Sequence, residues 1–264
     1  QEALAAARTA DVAVIVCGIE EGEFKDRSQL SLSPTQEALI RHVSDLGVPT
    51  VVLLETGSAV TMSRWIDDVD AILQVWYPGE EGGNGIADVL FGDYNPGGKL
   101  PITFPKTTGQ CPLYYNYRPS GRVYDYVDNR GKLELFPFGF GLSYTTFAYS
   151  DLAISNKQIR PGDRVRVSFR LKNTGKYSGH EVVQLYLHDL VASVSQPVKV
   201  LRRFQRVKLD PGEEKTVNFE LGPEDFTILD RKLKPVIEPG EFDIMIGSSS
   251  ADIRLRDRIK IITP

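Results

Sequence analysis

The sequence predicts an α/β domain with a mainly parallel sheet and flanking helices, followed by an all-β antiparallel sandwich. Three observations carry this. In the first part, short apolar runs alternate with stretches of helical spacing. From about residue 144 onward, apolar and polar residues alternate at period two between turn clusters. Between the two lies a stretch rich in Pro, Gly and Tyr that matches neither period. The expected division is an α/β portion over 1–108, an extended connector over 109–143 and a β-sandwich over 144–264.

The α/β elements follow in order. Gln1-Glu2-Ala3-Leu4-Ala5-Ala6-Ala7-Arg8 has strong helix propensity, over about 2–9. Val12 to Cys17 is apolar, too short for a membrane span, and reads as a buried strand. Ser33 and Pro34 are a cap and first-turn pair for a helix carrying Leu39, Ile40, Val43 and Leu46, and Gly47 ends it. Val51-Val52-Leu53-Leu54 is a second strand, followed by the loop Thr56-Gly57-Ser58 and a short helix near Met62 to Val69. Ala71 to Trp76 is a third strand. Tyr77-Pro78-Gly79-Glu80-Glu81-Gly82-Gly83 then turns into a helix through Ile86, Val89 and Leu90. Three strands make a thin, incomplete sheet, so further strands are expected upstream. The first helix lacks a cap residue, and the chain does not begin with Met. The expectation is a fragment, or one product of a cleaved longer protein, with any targeting segment upstream.

In the connector, Tyr114, Tyr115, Tyr117, Tyr124 and Tyr126 cluster. Such rings suit pyranose faces, but more often they glue a linker to its neighbours. In the last part, Val165 to Leu171, Val182 to Leu187, Val217 to Leu221 and Phe242 to Ile246 alternate at period two. Asn173-Thr174-Gly175, Asp210-Pro211-Gly212 and Glu238-Pro239-Gly240 separate them. This part holds no cluster of catalytic residue types, and His180 and His188 read as satisfied or solvated edge residues.

Composition narrows the function. The net charge of -4 is mixed along 264 residues, and no basic patch interleaves with aromatics, so nucleic acid is not an expected partner. No apolar run is long enough to span a bilayer, and no membrane partner is expected. Cys17 and Cys111 do not make a disulfide framework. His42, His180 and His188 are scattered without zinc spacing, so neither a metal nor another cofactor is expected. The glycine-rich turn at 77–83 has neither phosphate-loop nor dinucleotide spacing.

One polar loop follows the first strand: Glu20-Glu21-Gly22-Glu23-Phe24-Lys25-Asp26-Arg27. Open α/β sheets place ligands at the carboxyl ends of their strands. Three carboxylates within four positions oppose one another's ionisation, which can hold one of them protonated near neutral pH, as a general acid requires. Lys25 and Arg27 pull the other way. On chemistry alone, most such charge clusters are solvated faces with surface ion pairs.

Taken together, these residues resemble the carboxy-terminal half of a glycoside hydrolase family 3, β-glucosidase-like enzyme, over essentially the whole chain. Glu21-Gly22-Glu23-Phe24-Lys25-Asp26-Arg27 is similar to the family's Glu-x-Glu-x-x-Asp-Arg run. Trp76 to Gly83, then Ala87-Asp88-Val89-Leu90-Phe91-Gly92, resembles its second signature, and Asn95-Pro96-Gly97-Gly98-Lys99-Leu100-Pro101 continues it. Phe136 to Phe147 is similar to the passage into a fibronectin type III-like domain. Pro112-Leu113-Tyr114-Tyr115-Asn116 and Gly121-Arg122 look most like the bacterial, often periplasmic, branch.

The resemblance implies an exo-acting, retaining β-glycosidase, with an aspartate nucleophile on a β/α barrel and a glutamate acid/base on the α/β domain. By position the acid/base is Glu23; Glu21, Asp26 and Arg27 are expected to bind substrate or shape the loop. The two reacting carboxyls are expected roughly 5–5.5 Å apart. The implied partners are an oligosaccharide or β-glucoside substrate and the amino-terminal barrel, which this chain lacks. A homodimer through the β domain stays open. A periplasmic or extracellular location is the expectation. The alternative is a non-catalytic carbohydrate-binding or scaffolding fragment.

Overall fold

A computed structural model describes residues 1–119, 126–129, 131 and 133–263. Gly121, Arg122 and Tyr124 lie outside the described residues. The chain divides into two compact units. The first comprises Gln1–Asp93, Thr103–Leu113 and Tyr126–Phe136; the second comprises Tyr94–Ile102, Tyr114–Asp125 and Pro137–Pro264. The 109–143 stretch therefore contributes to both.

The first unit is built on a parallel sheet of β1 (Ala13–Gly18), β2 (Thr50–Glu55) and β3 (Ala71–Gln74), in that spatial order. Its helices are α1 (Glu2–Ala7), α2 (Pro34–Ser44) and α3 (Gly82–Phe91). α2 starts where the Ser33 hydroxyl accepts from the Gln36 N–H at 3.3 Å and Pro34 occupies the first turn. It buries Ile40 and Val43, and Gly47, at φ +73°, takes the left-handed turn that follows. Two short strands, β4 (Phe104–Pro105) and β5 (Glu134–Phe136), pair antiparallel in the same unit.

Three local expectations change. β1 is not buried on both faces: Ile15 and Cys17 are buried, whereas Val14 and Val16 are 48% and 65% exposed. Among the described residues β1 is the sheet edge, and nothing covers that face. The helix near 62–69 shrinks to a single 3₁₀ turn, Ile66–Asp68. Ala59, Val60, Met62 and Trp65 are all buried there, a spacing that no single helical stripe satisfies. β3 stops at Gln74 because Trp76 takes a left-handed φ of +57°, which leaves the extended region.

The second unit is a two-sheet sandwich. Its strands are β6 (Phe147–Ile154), β7 (Gln158–Ile159), β8 (Val165–Asn173), β9 (Gly179–Asp189), β10 (Val200–Leu209) and β11 (Glu214–Leu221). After a short helix, α4 (Pro223–Phe226), come β12 (Ile228–Leu229), β13 (Pro235–Val236), β14 (Gly240–Gly247) and β15 (Ile253–Ile261). One sheet runs β11-β8-β6 and the other β10-β9-β14-β15-β7; β12 and β13 form a separate pair. The pairing is antiparallel except for β15 with β7. The predicted period-two faces meet in one core that includes Val167, Phe169, Leu171, Val183, Leu185, Phe219 and Ile244.

Asn173 is fully buried at the end of β8 and uses its whole amide. Its Nδ2 donates to the Tyr177 and Leu209 carbonyls at 2.8 and 3.0 Å. Its Oδ1 accepts from the Thr145 hydroxyl at 2.6 Å and the Gly175 N–H at 3.0 Å. Tyr115 behaves as glue: it stacks on Phe138 at 4.2 Å, and its hydroxyl accepts from the Leu201 N–H. His180 stacks on Tyr94. Among the described residues no helix is long and apolar enough to cross a membrane.

Candidate functional site

Parallel strands bring the loops after β1, β2 and β3 to one end of the sheet. These loops carry Glu20–Arg27, Thr56–Ala59 and Trp76–Gly79. They are tied to one another through Glu21, Arg27, Ser58 and Tyr77.

Glu21 is the hub. Its Oε1 accepts from the Gly57 and Ser58 N–H groups at 2.8 and 2.9 Å. Its Oε2 accepts from the Ser58 hydroxyl at 2.8 Å and from Arg27 Nε at 3.0 Å. Burial raises the carboxyl pKa, but the Ser58 hydroxyl, the Arg27 charge and the two N–H groups together bring it below the ordinary value. Crowding therefore does not hold Glu21 protonated, as the bare sequence allowed; its neighbours in space are donors rather than carboxylates. Glu20 pairs with Lys25 instead. Arg27 also donates to the Ser58 hydroxyl at 2.5 Å and the Ala59 carbonyl at 3.0 Å.

Between these anchors the chain makes a tight turn. The Lys25 N–H donates to the Gly22 carbonyl at 3.0 Å, which places Glu23 and Phe24 at the tip. Phe24 has φ +64° and is 94% exposed. A large apolar residue in that conformation costs free energy and marks the tip as a candidate contact surface. Glu23 and Asp26 are both exposed.

The structure thus brings Glu21 and Arg27 into one network and holds Glu23 out from it. Gly57, Ser58 and Tyr77 are read from sequence only as loop and signature residues, without a role in the site. Their signal was positional: each follows the carboxyl end of a strand predicted to lie parallel to β1. Among the described residues no three His, Cys, Asp or Glu side chains gather as a metal-binding set.

An α/β unit with a polar loop network at its strand ends, followed by a fibronectin type III-like sandwich, defines the class. The model of the glycosyl hydrolase family 3 C-terminal domain matches residues 1–144, and that of a fibronectin type III-like domain matches residues 181–250. The chain belongs to glycosyl hydrolase family 3. It is 42% identical to a periplasmic β-glucosidase of Salmonella typhimurium, over 96% of this chain and 35% of that protein. It is 43% identical to a β-xylosidase of Formosa agariphila, over 94% of this chain and 35% of the relative. The structure of a β-glucosidase from Listeria innocua in complex with glucose superposes with a TM-score of 0.91 at 37% identity, covering 98% of this chain and 37% of that one. The chain therefore spans about a third of the length of the relatives it matches.

Proposed function

We propose that this chain supplies the general acid/base of a retaining, exo-acting β-glycosidase, with Glu23 in that role. The observation that carries the reading is the contrast at the turn. Glu21 is committed to four donors, whereas Glu23 stands exposed at a tip whose base is anchored. A group that must give a proton to substrate has to reach substrate, and a carboxylate already accepting four hydrogen bonds has no proton to give.

In the proposed reaction, an aspartate on the amino-terminal barrel attacks the anomeric carbon. The bond to the leaving oxygen breaks, and Glu23 donates its proton to that oxygen. Water then attacks the glycosyl-enzyme, Glu23 takes the water's proton, and the aspartate leaves. The substrate class is a terminal β-linked sugar. Likeness to the Salmonella protein supports a periplasmic or extracellular location. Glucoside and xyloside both stay within the proposal, since relatives of both names match to a similar degree. The isolated chain, with one of the two carboxyls, should not turn over substrate.

The test is Glu23→Gln in the full-length protein. Turnover of poor leaving groups should fall about 10²–10⁴-fold. Activated aryl glycosides should suffer less, and azide should restore part of their rate. Equal, mild losses on both substrate types would assign the role to another residue.

A further inference from the structure

We infer that Tyr77 is a positioning residue for the Glu23 turn, an inference that rests on the acid/base reading above. β1 ends at Gly18, and the next backbone hydrogen bond to the sheet, Ile19 N–H to the Glu55 carbonyl at 3.1 Å, is the last before the loop. Between there and the turn, the main chain is held, among the described residues, by a side-chain hydroxyl. Tyr77 Oη donates to the Ile19 carbonyl at 2.6 Å and accepts from the Glu21 N–H at 3.2 Å. It thus grips the backbone on both sides of Glu20, and its contact at Glu21 lies two residues ahead of Glu23.

Tyr77 reaches this point because of its neighbours. Trp76 takes φ +57°, turning the chain at the end of β3, and its ring is set edge-on against Phe104. The Tyr77 ring then lies on Gly57, where an added Cβ would sit 2.9 Å from Cε2 and 3.3 Å from Glu21 Cγ. Only glycine at 57 lets the β2 loop, the Tyr77 ring and Glu21 share that space. The Glu21 carboxylate fixes the β1 loop sideways onto the β2 loop, and the Tyr77 hydroxyl fixes its backbone to the β3 loop. A turn held at two points presents its tip in one orientation, which is what proton delivery to a glycosidic oxygen requires.

Tyr77→Phe in the full-length protein keeps the ring and removes the hydroxyl's hydrogen bonds to Ile19 and Glu21. The expected result is a fall in kcat of about fivefold on glycosides with poor leaving groups, with KM little changed. For activated aryl glycosides kcat/KM, which reports the bond-breaking step alone, should be nearly unaffected, so that step becomes more dependent on the leaving group. A merely structural role would lower both substrate types together. Gly57→Ala, which displaces the ring instead of trimming it, should give the same signature. Glu23→Gln is measured alongside. If Glu23→Gln shows the leaving-group signature and neither Tyr77→Phe nor Gly57→Ala does, Tyr77 does not position the turn and the acid/base reading stands. If Glu23→Gln shows no such signature, both inferences fall.

Discussion

Glu21 and Glu23 stand two residues apart in opposite surroundings: Glu21 accepts four hydrogen bonds, from Gly57, Ser58 and Arg27, while Glu23 is exposed at the turn's tip. The chain spends one carboxylate on holding the loop and leaves the other facing outward. The two should separate cleanly in a stability measurement. Glu21→Ala strands two backbone donors and Arg27, and should cost about 1–3 kcal/mol. Glu23→Ala should stay within about 0.5 kcal/mol of the parent. Urea midpoints of the two variants decide it; equal losses would remove Glu21 from its anchoring role.

Acid should loosen the same loop. The folded pKa of Glu21 lies below its unfolded value of 4.5. Its contribution is therefore present above about pH 4.5 and is lost as pH falls through the folded value. In Glu21→Gln that part of the acid slope should vanish. Urea midpoints collected between neutral pH and strong acid give the comparison, and parallel slopes would contradict it.

The two thiols should react very differently. Cys17 is buried in β1, and burial pushes its pKa up to about 11, whereas Cys111 is exposed. Thiolate is the reactive species. An alkylating reagent at mildly alkaline pH should label Cys111 and spare Cys17 until denaturant is added, as peptide mass spectrometry would show. Above pH 9.0, the unfolded thiol's value, ionisation of Cys17 favours the unfolded chain, so stability should decline between there and about pH 11.

Asn173 offers a test in the second unit. Asn173→Ala leaves the Tyr177 and Leu209 carbonyls and the Thr145 hydroxyl without their partner and should cost about 1–3 kcal/mol. Asn173→Asp should cost more, because it aims a second acceptor at two buried carbonyls. A thermal melt ranks them; the reverse order would mean that volume, not hydrogen bonding, matters there.

Much of the fold was readable because its signals are local. Ser33, Pro34 and Gly47 bracket α2, and the alternation from Val165 to Leu171 marks β8 and its buried face. For the candidate site, the resemblance to the family's Glu-x-Glu-x-x-Asp-Arg run points to Glu21, Glu23, Asp26 and Arg27, but not to what surrounds Glu21. Its partners Gly57 and Ser58 lie 36 and 37 positions away, and Tyr77 lies 56 away. Within the local window only carboxylates and two cations are visible, so repulsion and ion pairing stand unresolved against each other. The left-handed backbones of Phe24 and Trp76 had no signal at all, since neither residue type favours them.

Among the described residues, β1 combines an open edge with exposed Val14 and Val16, and Val12 just before the strand is exposed as well. A lone parallel edge with an apolar flank is a seed for non-native stacking. In the test tube the isolated chain should therefore act as a sticky colloid. Its turbidity should climb with concentration and with sulfate, and subside on cooling, because the attraction between bare apolar faces weakens in the cold. Yield from any preparation of this polypeptide by itself will be governed by that flank before its chemistry can be assayed.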